Sequence, residues 1–365
     1  MDPIIKLRNS VSHFIYTKIV KHILFLFDAE LMHQTFIKIG QFLNYFSLTR
    51  AITRVLFSYK NKMLEQTLLG IKFENPVGLS AGFDKNGVMV NLMSDVGFGF
   101  AEIGSITAKA HSGNTGCRLE RLKKQKALWV NFGLNNQGVD KIALRLSKEK
   151  IKIPFAVSVA KTNSKDTVPL EKGIADYIYT LKTLEKYNIG NFYVLNISCP
   201  NSFGGRDFSS PDRYEKLLKE ISKLNIRKPL ITKLSPDLSK NEIDKILKIS
   251  EKYKISGFIC SNLTKTNLGK GGVSGKLVQK KSDALLSYVH KALGSQRKNF
   301  VLIGTGGISD FKDAFQKIKL GANLVQLMTG MIYEGPGLIG QINYELTKLL
   351  KKSGFSNIKE AVGKA

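Results

Sequence analysis

The run Phe192-Tyr193-Val194-Leu195-Asn196-Ile197-Ser198-Cys199-Pro200-Asn201-Ser202-Phe203-Gly204-Gly205-Arg206 decides the fold, because it joins a buried strand to a chemically loaded loop. Its first four residues are apolar and β-prone, as a buried strand requires. Pro200 has no N–H to give a ladder, so the strand ends near Cys199. There a thiol (Cys199), two carboxamides (Asn196, Asn201) and a hydroxyl (Ser202) collect. Carboxamides hold planar polar heterocycles through donor and acceptor pairs, and a thiol moves a proton. Read alone, the run also describes a Pro-Asn turn beside a structural cysteine.

Outward from it, from residue 70 onward, short apolar strands alternate with amphipathic helices. Strands are expected at 76–80, 101–106, 154–159, 192–197, 229–234, 257–260, 300–304 and 323–327, with helical stretches such as 214–224, 240–253 and 282–293 between them. Eight β/α units over roughly 280 residues define an α/β protein with a closed (β/α)8 TIM barrel. The rival, an open doubly wound sheet, lacks its Gly-x-Gly-x-x-Gly after the first strand.

Chemistry in such barrels gathers at the C-terminal strand ends. Here those ends carry Ala81-Gly82-Phe83-Asp84-Lys85, Gly104-Ser105, Ser158 and Lys161, Asn196 and Cys199, Lys233, Ser261-Asn262, Gly304-Thr305-Gly306-Gly307 and Met328-Thr329-Gly330. Small loops after the last two strands suit a phosphate, because bare backbone N–H groups approach the anion. Two lysines facing one barrel mouth neutralise a phosphate or an electron-rich ring.

Residues 1–60 read as a helical extension, and 61–365 as the barrel, with the junction near Lys60-Asn61-Lys62. Phe36, Ile39, Phe42, Leu43 and Phe46 form one apolar stripe, and Ile15, Ile19, Val20, Ile23, Leu24 and Phe27 another. Asp28 is placed to cap the second helix. Greasy helices with cationic flanks suit either a bilayer surface or packing on the barrel, and both at once if they wall a tunnel. No apolar run reaches 18 residues, so no spanning helix is expected. The net charge of +27 points to an anionic partner, although lysines scattered along amphipathic helices more commonly make a solvated surface. Three distant cysteines without a CxxC exclude a disulfide framework and a metal knuckle, and fit a reducing compartment.

Taken as a set, these residues resemble the dihydroorotate dehydrogenase family of FMN enzymes. Four motifs carry the resemblance: Asn75-Pro76-Val77-Gly78-Leu79-Ser80-Ala81-Gly82-Phe83-Asp84-Lys85, Asn196-Ile197-Ser198-Cys199-Pro200-Asn201, Gly271-Gly272-Val273-Ser274-Gly275 and Ile303-Gly304-Thr305-Gly306-Gly307-Ile308. The N-terminal helices and the tail Ile358-Lys359-Glu360-Ala361-Val362-Gly363 are similar to its quinone-using, membrane-associated branch. The resemblance implies oxidation of (S)-dihydroorotate to orotate, with FMN and then a quinone taking the electrons, in de novo pyrimidine synthesis. It implies FMN contacts at Ala81, Gly82, Lys85, Ser105, Ser158, Asn196, Lys233, Ser261, Gly275, Gly307, Met328 and Thr329. Substrate contacts are implied at Lys85, Asn131, Gly133, Leu134, Asn196, Asn201 and Asn262, with Arg121 on the quinone side and no metal. Cys199 aligns with the base; a modest shift from a thiol's ordinary pKa of about 8.5 would supply thiolate near neutrality. A peripheral protein on the cytoplasmic side of the cell membrane follows, with no nucleic-acid partner.

The sequence departs from the family pattern. The quinone-using branch normally has serine where Cys199 stands. Val130 replaces an expected loop asparagine, with Asn131 one place later, and Leu263 replaces a polar residue. Ser158 stands for an asparagine, and Met328 for an aromatic. These changes keep three other readings open: an FMN barrel acting on a different reduced heterocycle, a tRNA dihydrouridine synthase, and a membrane-bound flavin or phosphate binder with a closed substrate site.

Overall fold

Eight parallel strands close on themselves in the computed structural model, which describes residues 2–203 and 207–365; Gly204–Arg206, the end of the run quoted above, lie outside the described residues. In chain order the strands are β1 (Gln66–Leu68), β2 (Ile71–Phe73), β3 (Val77–Leu79), β4 (Phe100–Ile106), β5 (Leu119–Leu122), β6 (Ala127–Val130), β7 (Phe155–Val159), β8 (Phe192–Asn196), β9 (Leu230–Leu234), β10 (Gly257–Cys260), β11 (Gly272–Gly275), β12 (Val301–Thr305) and β13 (Leu324–Leu327). The barrel runs β3-β4-β7-β8-β9-β10-β12-β13 and returns to β3. Its strands are buried almost throughout, as expected where helices cover the outside and side chains fill the inside. Phe100, Phe192, Val194, Ile231, Ile259 and Ile303 pack the interior. Backbones come close where glycine starts a strand: a Cβ on Gly257 would stand 2.1 Å from the Val301 carbonyl oxygen.

All eight expected barrel strands form, each within one residue of its expected ends. Five strands escape the sequence pattern. The antiparallel hairpin β1–β2 lays Leu68, Ile71 and Phe73 against the interior cluster. A second antiparallel sheet, β5-β6-β11, stands beside the strand ends, with Val130 opposite both Leu119 and Gly272.

The N-terminal region has more helices than the two expected. Helix α1 (Asp2–Ile15) runs through a π-turn, Tyr16–Val20, into α2 (Lys21–Leu24); α3 (Ala29–Tyr45) and α4 (Ser47–Phe57) follow. The Asp28 carboxylate accepts the Leu31 N–H at 2.8 Å and caps α3, a contact worth about 1 kcal/mol. Helix α4 is pinned to the barrel by charge: the buried Asp95 accepts Arg54 at 2.6 Å and pairs with Arg50 at 3.3 Å. Among the described residues no helix is long and apolar enough to cross a membrane.

Candidate active site

The strand ends carry a connected layer of polar side chains. Asn196, at the end of β8, donates to Ser105 Oγ at 2.8 Å and accepts Asn262 Nδ2 at 2.9 Å. Ser105 shares a 2.8 Å hydrogen bond with Ser158, and Asn262 also donates to Ser198 Oγ. Buried polar groups are tolerated because each finds a partner, and the closed network fixes every rotamer. Below it lies a fully buried carboxylate. Glu102, on β4, accepts Lys233 Nζ at 3.2 Å, Gln326 Nε2 at 3.0 Å and the Ala81 N–H at 3.3 Å.

Cys199 stands beside this layer on the loop after β8. Burial pushes its thiol up to about 11, although the Asn201 N–H, Lys233 and Lys161 all pull the other way. This corrects the expectation of a thiolate near neutrality: desolvation of the charged form outweighs the nearby cations. The loop is tethered from behind. Lys161 donates to the Phe203 carbonyl at 2.7 Å, Asn163 accepts the Phe203 N–H, and Asn114 Nδ2 donates to the Asn201 carbonyl.

The opposite wall holds Lys85, its ammonium 3.7 Å from the centre of the Phe132 ring. Burial lowers its pKa to about 7; Glu30 pulls it up and Arg118 down. Those two residues form an ion pair that ties the first turn of α3 to the residue just before β5. His33 of α3 donates from Nε2 to the Phe83 carbonyl, 2.9 Å away. It is held neutral, its pKa lowered to about 3 mainly by burial.

One pocket gathers most residues that the sequence singled out. Ala81, Gly82, Lys85 and Ser105 line it, as do Asn196, Lys233, Ser261 and Gly275. So do Gly307, Met328 and Thr329, together with Cys199, Asn201, Asn262 and Leu134. Three expected contacts do not reach it. Asn131 is spent outside, where its Oδ1 accepts Asn114 Nδ2 at 2.9 Å. The reason is strand alternation: Leu128 and Val130 of β6 face the pocket, so the next residue points away. Gly133 packs on Asn114, and Ser158 lies behind Ser105. Sequence reading also missed residues that do line it, notably Asn135, Gln326 and His33. The carboxamide pair Asn135-Asn136 after a glycine was the available signal for the first.

Arg121 lines a neighbouring cavity of about 240 Å³, walled by apolar residues including Phe36, Leu43, Met89 and Leu92. Its guanidinium lies 4.7 Å from the Phe25 ring and donates to the Phe27 carbonyl at 2.7 Å. The two cavities share His33, Leu119, Leu128 and Ile332, so they adjoin.

The pocket suits a phosphate-bearing aromatic cofactor. Gly306, Gly307, Gly275 and the start of the helix Thr329–Glu334 bring bare backbone to one end. Gly82 has positive φ and open space where a Cβ would stand, whereas a Cβ on Gly307 would lie 2.3 Å from Gln279. Asn135 Oδ1 and Asn201 Oδ1 are buried on the pocket wall without a hydrogen-bond partner among the described residues, and so are acceptors left for a ligand.

A parallel barrel whose strand ends offer paired lysines, a carboxamide layer, a thiol and an anion cradle is built as a (β/α)8 enzyme with a pocket for a phosphate-bearing ligand. The family model of dihydroorotate dehydrogenase matches residues 63–350, and the chain belongs to that family, whose members are flavin-dependent. It is 36% identical over 304 residues to the dihydroorotate dehydrogenase (quinone) of Gloeobacter violaceus, covering 81% of this chain and 84% of that one. It is 39% identical over 303 residues to the protein of the same name from Sulfurimonas denitrificans, with the same coverages. The crystal structure of the DHODH of Eimeria tenella in complex with ferulenol superposes with a TM-score of 0.79 at 25% identity, covering 92% of this chain and 95% of that one.

Proposed function

We infer that this chain oxidises dihydroorotate to orotate and passes the electrons to a quinone, a step of pyrimidine biosynthesis. The observation that carries this reading is the convergence of Cys199, Lys85, Asn201 and Asn262 on one pocket that adjoins an apolar cavity. FMN is the flavin proposed for that pocket, its phosphate on Gly275, Gly306, Gly307 and Thr329. When bound, it supplies the two-electron acceptor that links substrate to quinone.

The residues of the chain do the rest. The Cys199 thiolate takes the proton from C5 of the substrate, and the thiol's high pKa makes that thiolate a strong base. Asn196, Asn201 and Asn262 orient the ring through its amide edges, and the protonated form of Lys85 binds the carboxylate. Lys233 favours negative charge nearby. Arg121 meets the quinone in the apolar cavity. Residues 1–60 are proposed as the quinone-tunnel and membrane-contact element, and 61–365 as the catalytic barrel. Leu7, Leu48 and Val55 on the helices and Leu26 in the turn after α2 support that contact, since all four are largely exposed. The protein would then lie on the cytoplasmic side of the cell membrane without crossing it. Dihydroorotate-dependent reduction of a quinone by the purified, FMN-loaded protein tests the activity; flavin that stays oxidised under dihydroorotate would contradict it.

A further inference from the structure

Glu102 is an unusual residue to find inside a barrel. It is 0% exposed, and no part of it is among the residues that line the pocket. Yet among the described residues every polar contact its carboxylate makes is to a residue that does line it: Lys233, Gln326 and the backbone of Ala81. These three come from the ends of the neighbouring strands β13 and β3 and of β9 on the far side of the ring.

Stability alone does not account for this. A buried ion pair loses so much hydration that a well-packed apolar replacement is commonly as stable or more so. The neighbouring interior shows that option in use, since Phe100, Ile231 and Ile303 fill the same barrel with hydrocarbon. What the carboxylate adds is charge. Lys233 is an ammonium at the pocket floor with almost no water to screen it, its side chain 7% exposed. With Glu102 within 3.2 Å, the floor presents an ion pair; without it, a full positive charge.

We propose that Glu102 is a positioning residue that sets the charge Lys233 presents to the pocket, and through it the reduction potential of the flavin held there. The proposal rests on the FMN reading above. Gln326 acts in the opposite sense to Glu102, because its amide partly neutralises the same carboxylate oxygen and leaves more of the Lys233 charge uncompensated.

The test uses the full-length, FMN-loaded protein, with the flavin midpoint potential read by spectroelectrochemistry and the affinity for sulfite read by loss of flavin absorbance. Sulfite adds reversibly to oxidised flavin and reports on positive charge near it. In Glu102→Gln the potential rises and sulfite binds about tenfold more tightly, the two-electron equivalent of about 30 mV. In Gln326→Leu, where the carboxylate loses a donor, both shift the other way, and Glu102→Asp restores values near those of the parent. A purely structural role would lower FMN loading in all three variants and leave the potential of the loaded fraction alone. Unchanged or same-sign shifts in Glu102→Gln and Gln326→Leu overturn the proposal; should only one of the two hold flavin, its sign decides. A parent protein that refuses FMN overturns the cofactor reading itself.

Discussion

Because burial keeps the Cys199 thiol protonated up to about pH 11, the fraction of thiolate grows steadily through the neutral and alkaline range. The rate at which dihydroorotate bleaches the flavin is therefore expected to rise about tenfold per pH unit above neutrality. Cys199→Ala should slow that rate by about 10²–10⁴-fold, the usual contribution of a positioned base, while leaving FMN bound. A flat pH profile, or unaltered kinetics in the variant, would remove Cys199 from the step. Lys85 behaves in the opposite way. With a pKa lowered to about 7 it is largely neutral at pH 8, and an incoming carboxylate favours its charged form. Binding of orotate at pH 8 should take up a proton, and at pH 6 it should not. Titration calorimetry in buffers of different ionisation enthalpy measures this; buffer-independent heats at pH 8 would contradict it. Both values come from desolvation. The sequence supplies the thiol and the ammonium but not how much water they lose, which is why the thiol's shift ran against expectation.

At the scale of elements, the barrel was legible because each of its strands is a short apolar run bounded by turns, and those runs exist in the sequence whatever their partners. The hairpin β1–β2 and the sheet β5-β6-β11 were not, since most of their strands carry charged, polar or glycine residues, as in Leu119-Glu120-Arg121-Leu122 and Gly272-Val273-Ser274-Gly275, and the apolar β6 is only four residues long. Missing β6 had a local cost: without its register, nothing shows that Val130 faces the pocket and Asn131 does not. Helix α4 was hidden for a related reason. Its attachment is ionic, through Arg50 and Arg54 to Asp95, and leaves its apolar residues Leu48 and Val55 exposed. Helix α3, by contrast, turns Phe36 and Leu43 into the apolar cavity. Met32 lines the same cavity, and Met32→Trp adds bulk there without touching the substrate pocket. Quinone turnover should fall by about tenfold while bleaching by dihydroorotate is unchanged. Equal losses in both halves would mean that the cavity does not serve the quinone.

Over the whole molecule, charge and apolar exposure act together. Among the described residues the N-terminal helices and the turn after α2 expose Leu7, Leu26, Phe42, Leu48 and Val55, and the chain carries a net charge of +27. Such a surface is drawn to anionic bilayers by long-range attraction and held by apolar burial. Cosedimentation with vesicles rich in anionic lipid should therefore exceed that with neutral vesicles and weaken as salt is raised. Equal partition to both would leave the apolar face as the sole source of binding. On the proposed reading the same organisation divides the reaction in space: water-soluble substrate at the strand ends, lipid-soluble acceptor among the helices, and one pocket adjoining both.

Stopped-flow absorbance of the bound flavin, after anaerobic mixing with dihydroorotate and no quinone, tests this division most directly. The expected result is loss of the oxidised flavin band within a single turnover, followed by its return when quinone is added. A fully loaded protein whose flavin band stays unchanged by dihydroorotate would contradict it.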